Sequence, residues 1–455
     1  MMNRRLLALA LATVLTPLAA QGADLVQVYD MARQGDPQLS AAEAEHRYTR
    51  EGAVQARAAL LPQISGDASL TRSRSELEGV SGRSTSTDRN YRLSGSQVLF
   101  DWSSFANKRA QNQIARAADF ELESANDDLI MRTAQAYFNV LVAIESYAAA
   151  QANEAAARKQ FDFADKRLEV GLAPITDVHE ARAQFDQARA DTILARNALA
   201  DAQRGLVELT GQPVTDLRGL PDDFRPQMPA NRADVEALVT AAITTNPTLQ
   251  ANQLRLGAAE AGISAARAGH LPTLALGASW GRNASWGDSV GSTSRDQDLT
   301  TNSIGLTLNV PIFSGGATQS RVRQAIAQRD MAQDGVEQTR RALDRNTRNA
   351  WQAVMAGISE VEARRSAVVS AQAAYDASQV GLEVGTRTVL DLVQNQRTLF
   401  SAQMALAQAR YNFLLNRLAL AQAVGDLDME ELADINRLLT VPAESRLASG
   451  ADTRG

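Results

Sequence analysis

The sequence predicts an α+β membrane protein built from a duplicated unit, in which a long α-helical coiled-coil barrel continues into a transmembrane β-barrel with four strands per chain. Three observations predict it. Proline, phenylalanine and glycine landmarks recur at a nearly constant offset. Four segments alternate apolar and small polar residues. Two stretches of helix-forming composition run too far to bury themselves in one globule.

The chain begins "MMNRRLLALALATVLTPLAA", with Arg4 and Arg5 ahead of the apolar run Leu6–Ala20 and small residues at Gly22 and Ala23. This is the layout of a secretory signal peptide, placed at 1–22, and the run is too short to span a bilayer. There is no cysteine, so disulfides, thiol metal sites and an N-terminal lipid-bearing cysteine are excluded. A net charge of −6 without a basic stripe argues against nucleic acid as a partner. The most apolar later segment, "TAQAYFNVLVAI" (Thr133–Ile144), is also too short for a spanning helix. Passage through a membrane must then be by strands, which points to an outer membrane and contact with its lipid.

The landmarks of the repeat are Pro37 and Pro247, Pro62 and Pro272, Phe100 and Phe313, and Gly171 and Gly385. Coincidental coiled-coil similarity would not keep three residue types in step. The first repeat is placed at 23–211 and the second at 233–425. The Pro-, Asp- and Gly-rich stretch 212–232 reads as a connector. A C-terminal segment and tail fill 426–455, and the small polar part after Val441 reads as disordered.

Within each repeat a helical segment leads to a Leu-Pro and then to alternating residues. Ile64, Gly66, Ala68 and Leu70 alternate with polar neighbours, as do Tyr91, Leu93 and Gly95. In the second repeat Leu274, Leu276, Ala278 and Trp280 share one face, as do Ile304, Leu306, Leu308, Val310 and Ile312. Period two over about ten residues, apolar on one side, is the membrane-strand signature. The strands are placed at about 62–71, 91–100, 273–281 and 303–312, with Tyr91, Trp280 and Trp286 as girdle aromatics. The connecting loops 72–89 and 282–301 are long and polar. Four strands cannot close a barrel, so the chain must oligomerise, with eight strands from two copies or twelve from three.

The long helices are placed at 102–170, 174–210, 319–384 and 388–424. No Gly or Pro interrupts Trp102–Val170, and at about 1.5 Å per residue that stretch would reach roughly 100 Å. Both long helices turn back at a shared frame, "LEVGLAPITD" from Leu168 and "LEVGTRTVLD" from Leu382. His46, His179 and His270 show no metal-ligand spacing, and no nucleophile, P-loop or dinucleotide pattern appears. An enzyme is not expected, nor a metal or a cofactor.

The segments "LVQVYDMARQGDPQLSAA", "TAQAYFNVLVAIE", "VGLAPITDVHEARAQFD", "HLPTL", "VGTRTVLDLV" and "ARYNFLLNRLAL" occur in the order found in one family. Nearly the whole mature chain resembles the TolC-type outer-membrane channels of Gram-negative bacteria. The resemblance implies a homotrimer, with a 12-stranded barrel in the outer membrane and a helical tunnel across the periplasm. Connector and C-terminal segments would form a mixed equatorial region. It implies a role as exit duct in a tripartite efflux pump or type I secretion, opened by docking of a periplasmic adaptor (membrane fusion) protein and an inner-membrane RND or ABC transporter. A channel dedicated to one secreted protein is a variant of the same reading.

The turns Val170-Gly171-Leu172 and Val384-Gly385-Thr386 would then be the adaptor-docking tips. The family's gate latch maps onto Arg387, Thr176 and Asp177, and its acidic constriction ring onto Asp391. Two positions depart from the pattern: Leu382 stands where the family has a gating tyrosine, and Gln394 where it has a second ring aspartate. A periplasmic coiled-coil adaptor or an envelope structural protein would share the helices, but neither explains the four alternating segments.

Overall fold

The computed structural model describes residues 23–76, 83–172, 174–229, 232–288 and 297–449. The signal-peptide expectation at 1–22 and the end of the tail lie outside them. Each half of the chain opens with two helices whose junction is set by proline. α1 (Leu25–Gly35) is followed by α2 (Pro37–Ala58), and later α5 (Val235–Thr245) by α6 (Pro247–Arg267). Proline as first helical residue loses nothing, because its missing N–H would have been unpaired there. Asp36 caps α2, accepting the Leu39 N–H at 3.0 Å.

After α2 come β1 (Gln63–Glu76) and β2 (Arg83–Phe100), then α3 (Trp102–Glu169) and α4 (Ile175–Thr210). A two-residue β3 (Arg218–Gly219) follows α4. The second half continues from α6 with β4 (Thr273–Asp288), β5 (Gln297–Asn309), α7 (Ala317–Glu383) and α8 (Val389–Val424). The C-terminal part adds α9 (Met429–Asn436), β6 (Val441–Pro442) and α10 (Ser445–Ser449). No helix among the described residues is long and apolar enough to cross a membrane.

The chain divides into two compact units. One consists of Glu43–Leu122 and Pro247–Arg340 and holds the four-stranded sheet, ordered β1-β2-β4-β5 with every neighbour antiparallel. One face carries Ile64, Leu70, Leu93, Trp280, Ile304, Leu306 and Leu308, all exposed. The other is small and polar, and the repeats match in detail there. Ser65 and Ser94 share a hydrogen bond of 2.9 Å, and Ser279 and Ser303 one of 2.8 Å.

Three strands run past their expected ends toward the hairpin turns, through Arg72–Glu76, Arg83–Asn90 and Arg282–Asp288. Polar residues on both faces erase the period-two signal there while the backbone ladder continues. β5 also starts earlier, at Gln297, but stops at Asn309 instead of 312. Pro311 has no N–H to offer the ladder.

The other unit consists of Met1–Ala42, Glu123–Asn246 and Arg341–Gly455. Its core gathers Leu25 and Val28 from α1, Leu129, Tyr137, Phe138 and Leu141 from α3, Leu414 and Leu418 from α8, and Leu432 and Ile435 from α9. Phe138 stacks on Tyr411 with ring centroids 5.6 Å apart and meets Tyr137 edge-on at 5.9 Å. Each such side chain contributes about 1.5–3 kcal/mol on burial.

The connector is packed rather than loose. The Tyr137 hydroxyl donates to the Arg218 carbonyl at 2.8 Å and accepts the Arg218 N–H at 2.9 Å. Arg232 is buried against Asp426 and Glu431, both at 3.1 Å. The expectation of disorder after Val441 is corrected for the described part: β6 pairs with β3, and Arg446 reaches Asp222 at 2.6 Å. Two-residue strands carry no periodicity to read.

Candidate functional site

The two hairpin tips, both in the unit just described, end by the same backbone device. After α3, Gly171 adopts φ +76°. Its N–H reaches the Leu168 carbonyl at 2.9 Å, and the Leu172 N–H reaches that of Arg167 at 2.8 Å. After α7, Gly385 adopts φ +78°. Its N–H reaches Leu382 at 3.2 Å, and the Thr386 N–H reaches Gly381 at 2.8 Å. This double closure is the Schellman motif, and its left-handed residue is the reason for glycine in each V-G turn.

Both turns leave apolar side chains in solvent. Val170, Leu172 and Val384 are each 68 % exposed, and Ile175 and Leu390 are also open. Just behind the first tip, Ala164, Val178 and Ala181 form a small core with Phe161 and Leu168 against it. Phe161 stacks on Phe185 at 6.3 Å. The tips are therefore firm hairpins with uncovered apolar ends.

The return helices start differently. Pro174 caps α4 without a side-chain hydrogen bond. Thr388 caps α8 through a reciprocal box with Asp391: the Asp391 N–H donates to the threonine hydroxyl at 3.2 Å, and Asp391 Oδ2 accepts the Thr388 N–H at 3.0 Å. The hydroxyl also lies 3.0 Å from Oδ2. The Thr388 N–H and then its hydroxyl hold the Asp391 carboxyl below the usual carboxylate range, with Arg387 adding to the effect. The ring aspartate of the sequence reading is thus also a helix cap. The spacing Thr388-x-x-Asp391 was legible as a capping box but is absent from the expected site.

Thr176 and Asp177 lie in the first turn of α4, where the Thr176 hydroxyl is 3.5 Å from Asp177 Oδ1. Arg387 is exposed, and its stem lies over Gly381, where an added Cβ would stand 2.6 Å from the arginine Cγ. Within the single chain no hydrogen bond or ion pair joins Arg387 to Thr176 or Asp177 among the described residues. Leu382 is half-buried, and Gln394, one turn from Asp391, is exposed.

Farther from the tips, a buried polar network ties the two hairpins together. Gln396, only 4 % exposed, accepts from Gln160 Nε2 at 2.6 Å and donates to Asn153 Oδ1 at 2.8 Å. Asn395 also donates to the Ser378 hydroxyl. A buried amide so fully partnered fixes helix register, because slipping would strand its polar atoms. No group of His, Asp or Glu among the described residues is arranged to hold a metal.

The chain is similar to known proteins over most of its length. The family described as "Outer membrane efflux protein" matches residues 28–212 and 238–426. The chain is 35 % identical to the outer membrane protein TolC of Escherichia coli strain K12, covering 94 % of this chain and 87 % of that one. It is 30 % identical to the alkaline protease secretion protein AprF of Pseudomonas aeruginosa, covering 90 % and 85 %. Among solved structures, the Campylobacter jejuni CmeC outer membrane channel superposes with TM-score 0.74 at 19 % identity, covering 91 % of this chain and 89 % of that one.

Proposed function

The chain belongs to the outer membrane efflux protein family, and from that premise we propose that three copies close a twelve-stranded barrel and a helical tunnel whose periplasmic tips are opened by a docked adaptor. The protein is an outer-membrane exit channel for efflux and type I secretion. It resides in the Gram-negative outer membrane and extends into the periplasm. Its chemistry is passage; no reaction is assigned to it.

The observation that carries the assembly is the strand order. A β1-β2-β4-β5 sheet ends on two strands, β1 and β5, each with one unpaired edge. Unpaired backbone groups are not tolerated in hydrocarbon, so β5 of one copy must pair with β1 of the next. Three-fold closure follows the family resemblance. The partners we assign to the tips are a periplasmic adaptor and, beyond it, an RND or ABC transporter. The exposed valines and leucines of both V-G turns support this, since apolar ends held on firm hairpins suit a protein partner.

Among the described residues Arg387 makes no hydrogen bond or ion pair with Thr176 or Asp177 of its own chain, and we assign the latch across protomers, from Arg387 of one copy to Thr176 and Asp177 of its neighbour. Asp391 of three copies would form the constriction ring, with Gln394 leaving it less charged than the family pattern. Native mass spectrometry in detergent tests the assembly: a stable trimer is expected, and a stable monomer would overturn the barrel.

A further inference from the structure

The apolar face of the sheet ends in a cluster of arginines. On β1 the residues Ile64, Gly66, Ala68 and Leu70 are followed on the same side by Arg72 and Arg74. The ladder aligns Leu70 with Arg89, and Arg89 with Ala284. It aligns Tyr91 with Arg282, and Thr87 with both Arg72 and Trp286. Arg72, Arg74, Arg89 and Arg282 therefore share one face, just beyond the apolar band. By register Glu76, Asp288 and Asp298 are the carboxylates on that face, and Asp298 is paired with Arg282. Arg72 and Arg74 are exposed and have no ion-pair partner among the described residues.

Arg89 is held in a different way. Its guanidinium lies 5.6 Å from the Tyr91 ring centroid and 5.8 Å from that of Trp286. Its Nε is buried without a hydrogen-bond partner. Two aromatic rings thus fix the fork in place while one of its donors stays unpaired.

Connectivity says which end of the membrane this is. The helices join the strands at Gln63, Phe100, Thr273 and Asn309, and the arginines lie toward the opposite, hairpin-turn end. With the helices on the periplasmic side, the arginine belt meets the outer leaflet. That leaflet in Gram-negative bacteria consists of a phosphorylated diglucosamine glycolipid. Arginine binds phosphate oxygens bidentately, and Trp and Tyr occupy the boundary between hydrocarbon and headgroup.

We propose that Arg72, Arg74, Arg89 and Arg282, flanked by Tyr91 and Trp286, form an outward-facing site for the phosphates of the outer-leaflet glycolipid. The inference rests on the outer-membrane reading and adds a lipid ligand to it. The apolar residues below the arginines would hold the acyl chains, while the arginines hold the sugar phosphates. Arg92, on the opposite, polar face of β2, would take no part.

Native mass spectrometry of the detergent-purified channel tests this, with bisphosphoryl lipid A, its dephosphorylated form, phosphatidylglycerol and inorganic phosphate as probes. Bisphosphoryl lipid A should bind at least about tenfold more tightly than the others. The Arg72→Gln/Arg74→Gln double variant and Arg89→Gln should each lose about tenfold, and Arg92→Gln should match the parent. Equal binding of the dephosphorylated lipid, of phosphatidylglycerol or of inorganic phosphate would overturn the site. So would equal losses in Arg92→Gln and the double variant. Planar-bilayer conductance of each variant separates the two readings: a parent that does not conduct overturns the channel and this inference together, and a conducting parent without glycolipid preference overturns the inference alone.

Discussion

Replacing Asp127 by Asn should stabilise the channel above neutral pH and change little in acid. Asp127 sits on α3 with 7 % of its surface exposed. Burial, first, and then repulsion from Glu123, Asp128, Asp426 and Asp428 push its carboxyl up to about 7 from an ordinary 3.8. Below about pH 3 the group is largely protonated whether the chain is folded or not, and at pH 4 only a small part of the penalty has built up. Between about 4 and 7 the unfolded chain ionises while the folded one keeps its proton, and rising pH favours unfolding. Above 7 both forms are ionised and the penalty is constant. A shift of about 3 units corresponds to at most about 4 kcal/mol, and solvent screening reduces that to about 2 kcal/mol. In a chain of this size the gain would raise the melting temperature by about 2–4 °C. Melts followed by helical circular dichroism in detergent, at pH 4 and pH 8, read it directly. An equal shift at both pH values, or a less stable variant at pH 8, would refute the assignment of a strained carboxylate.

Two further predictions concern the tips. Arg387→Ala and Asp177→Ala should each raise the open fraction by about tenfold, seen as higher conductance in planar bilayers; unchanged conductance in both would leave the pair as a solvated contact. Asp391→Ala removes both the ring charge and the reciprocal half of the α8 capping box, whereas Asp391→Asn removes the charge and keeps an oxygen to accept the Thr388 N–H. Trivalent cations should block the parent from the periplasmic side, fail to block either variant, and block Gln394→Asp more tightly. Block that survives in Asp391→Asn would show that the ring charge is not the binding group.

The architecture was legible where one physical constraint acted alone. The apolar band of the strands shows at Ile64–Leu70 and Ile304–Leu308 because lipid on one side and water on the other force alternation. Beyond that band polar residues such as Ser73 and Thr87 occupy both faces of the ladder, so the alternation fades while hydrogen bonding persists. Gly171 and Gly385 were readable because a left-handed residue is required there. The spacing of Thr388 and Asp391 is local and fits a capping box, yet the same carboxylate also fits the ring position that the family resemblance implies, so its sequence signal is shared between two roles. The burial of Arg232 and the pairing of Val441 depend on residues about two hundred positions away, which no window of sequence contains.

The two open edges also decide how damage spreads through a population of mixed subunits. A copy whose β5 edge has been blocked still offers an intact β1 edge, so it joins a growing ring and then cannot be closed upon. With equal amounts of sound and blocked chains, only about one ring in eight would be wholly sound. A lesion in β2 or β4 instead breaks the sheet of its own chain from within, leaving no ordered edge to offer a neighbour, and the sound copies assemble without it. Dominance and recessiveness in this protein thus follow from whether a strand lies at the margin of the sheet or inside it.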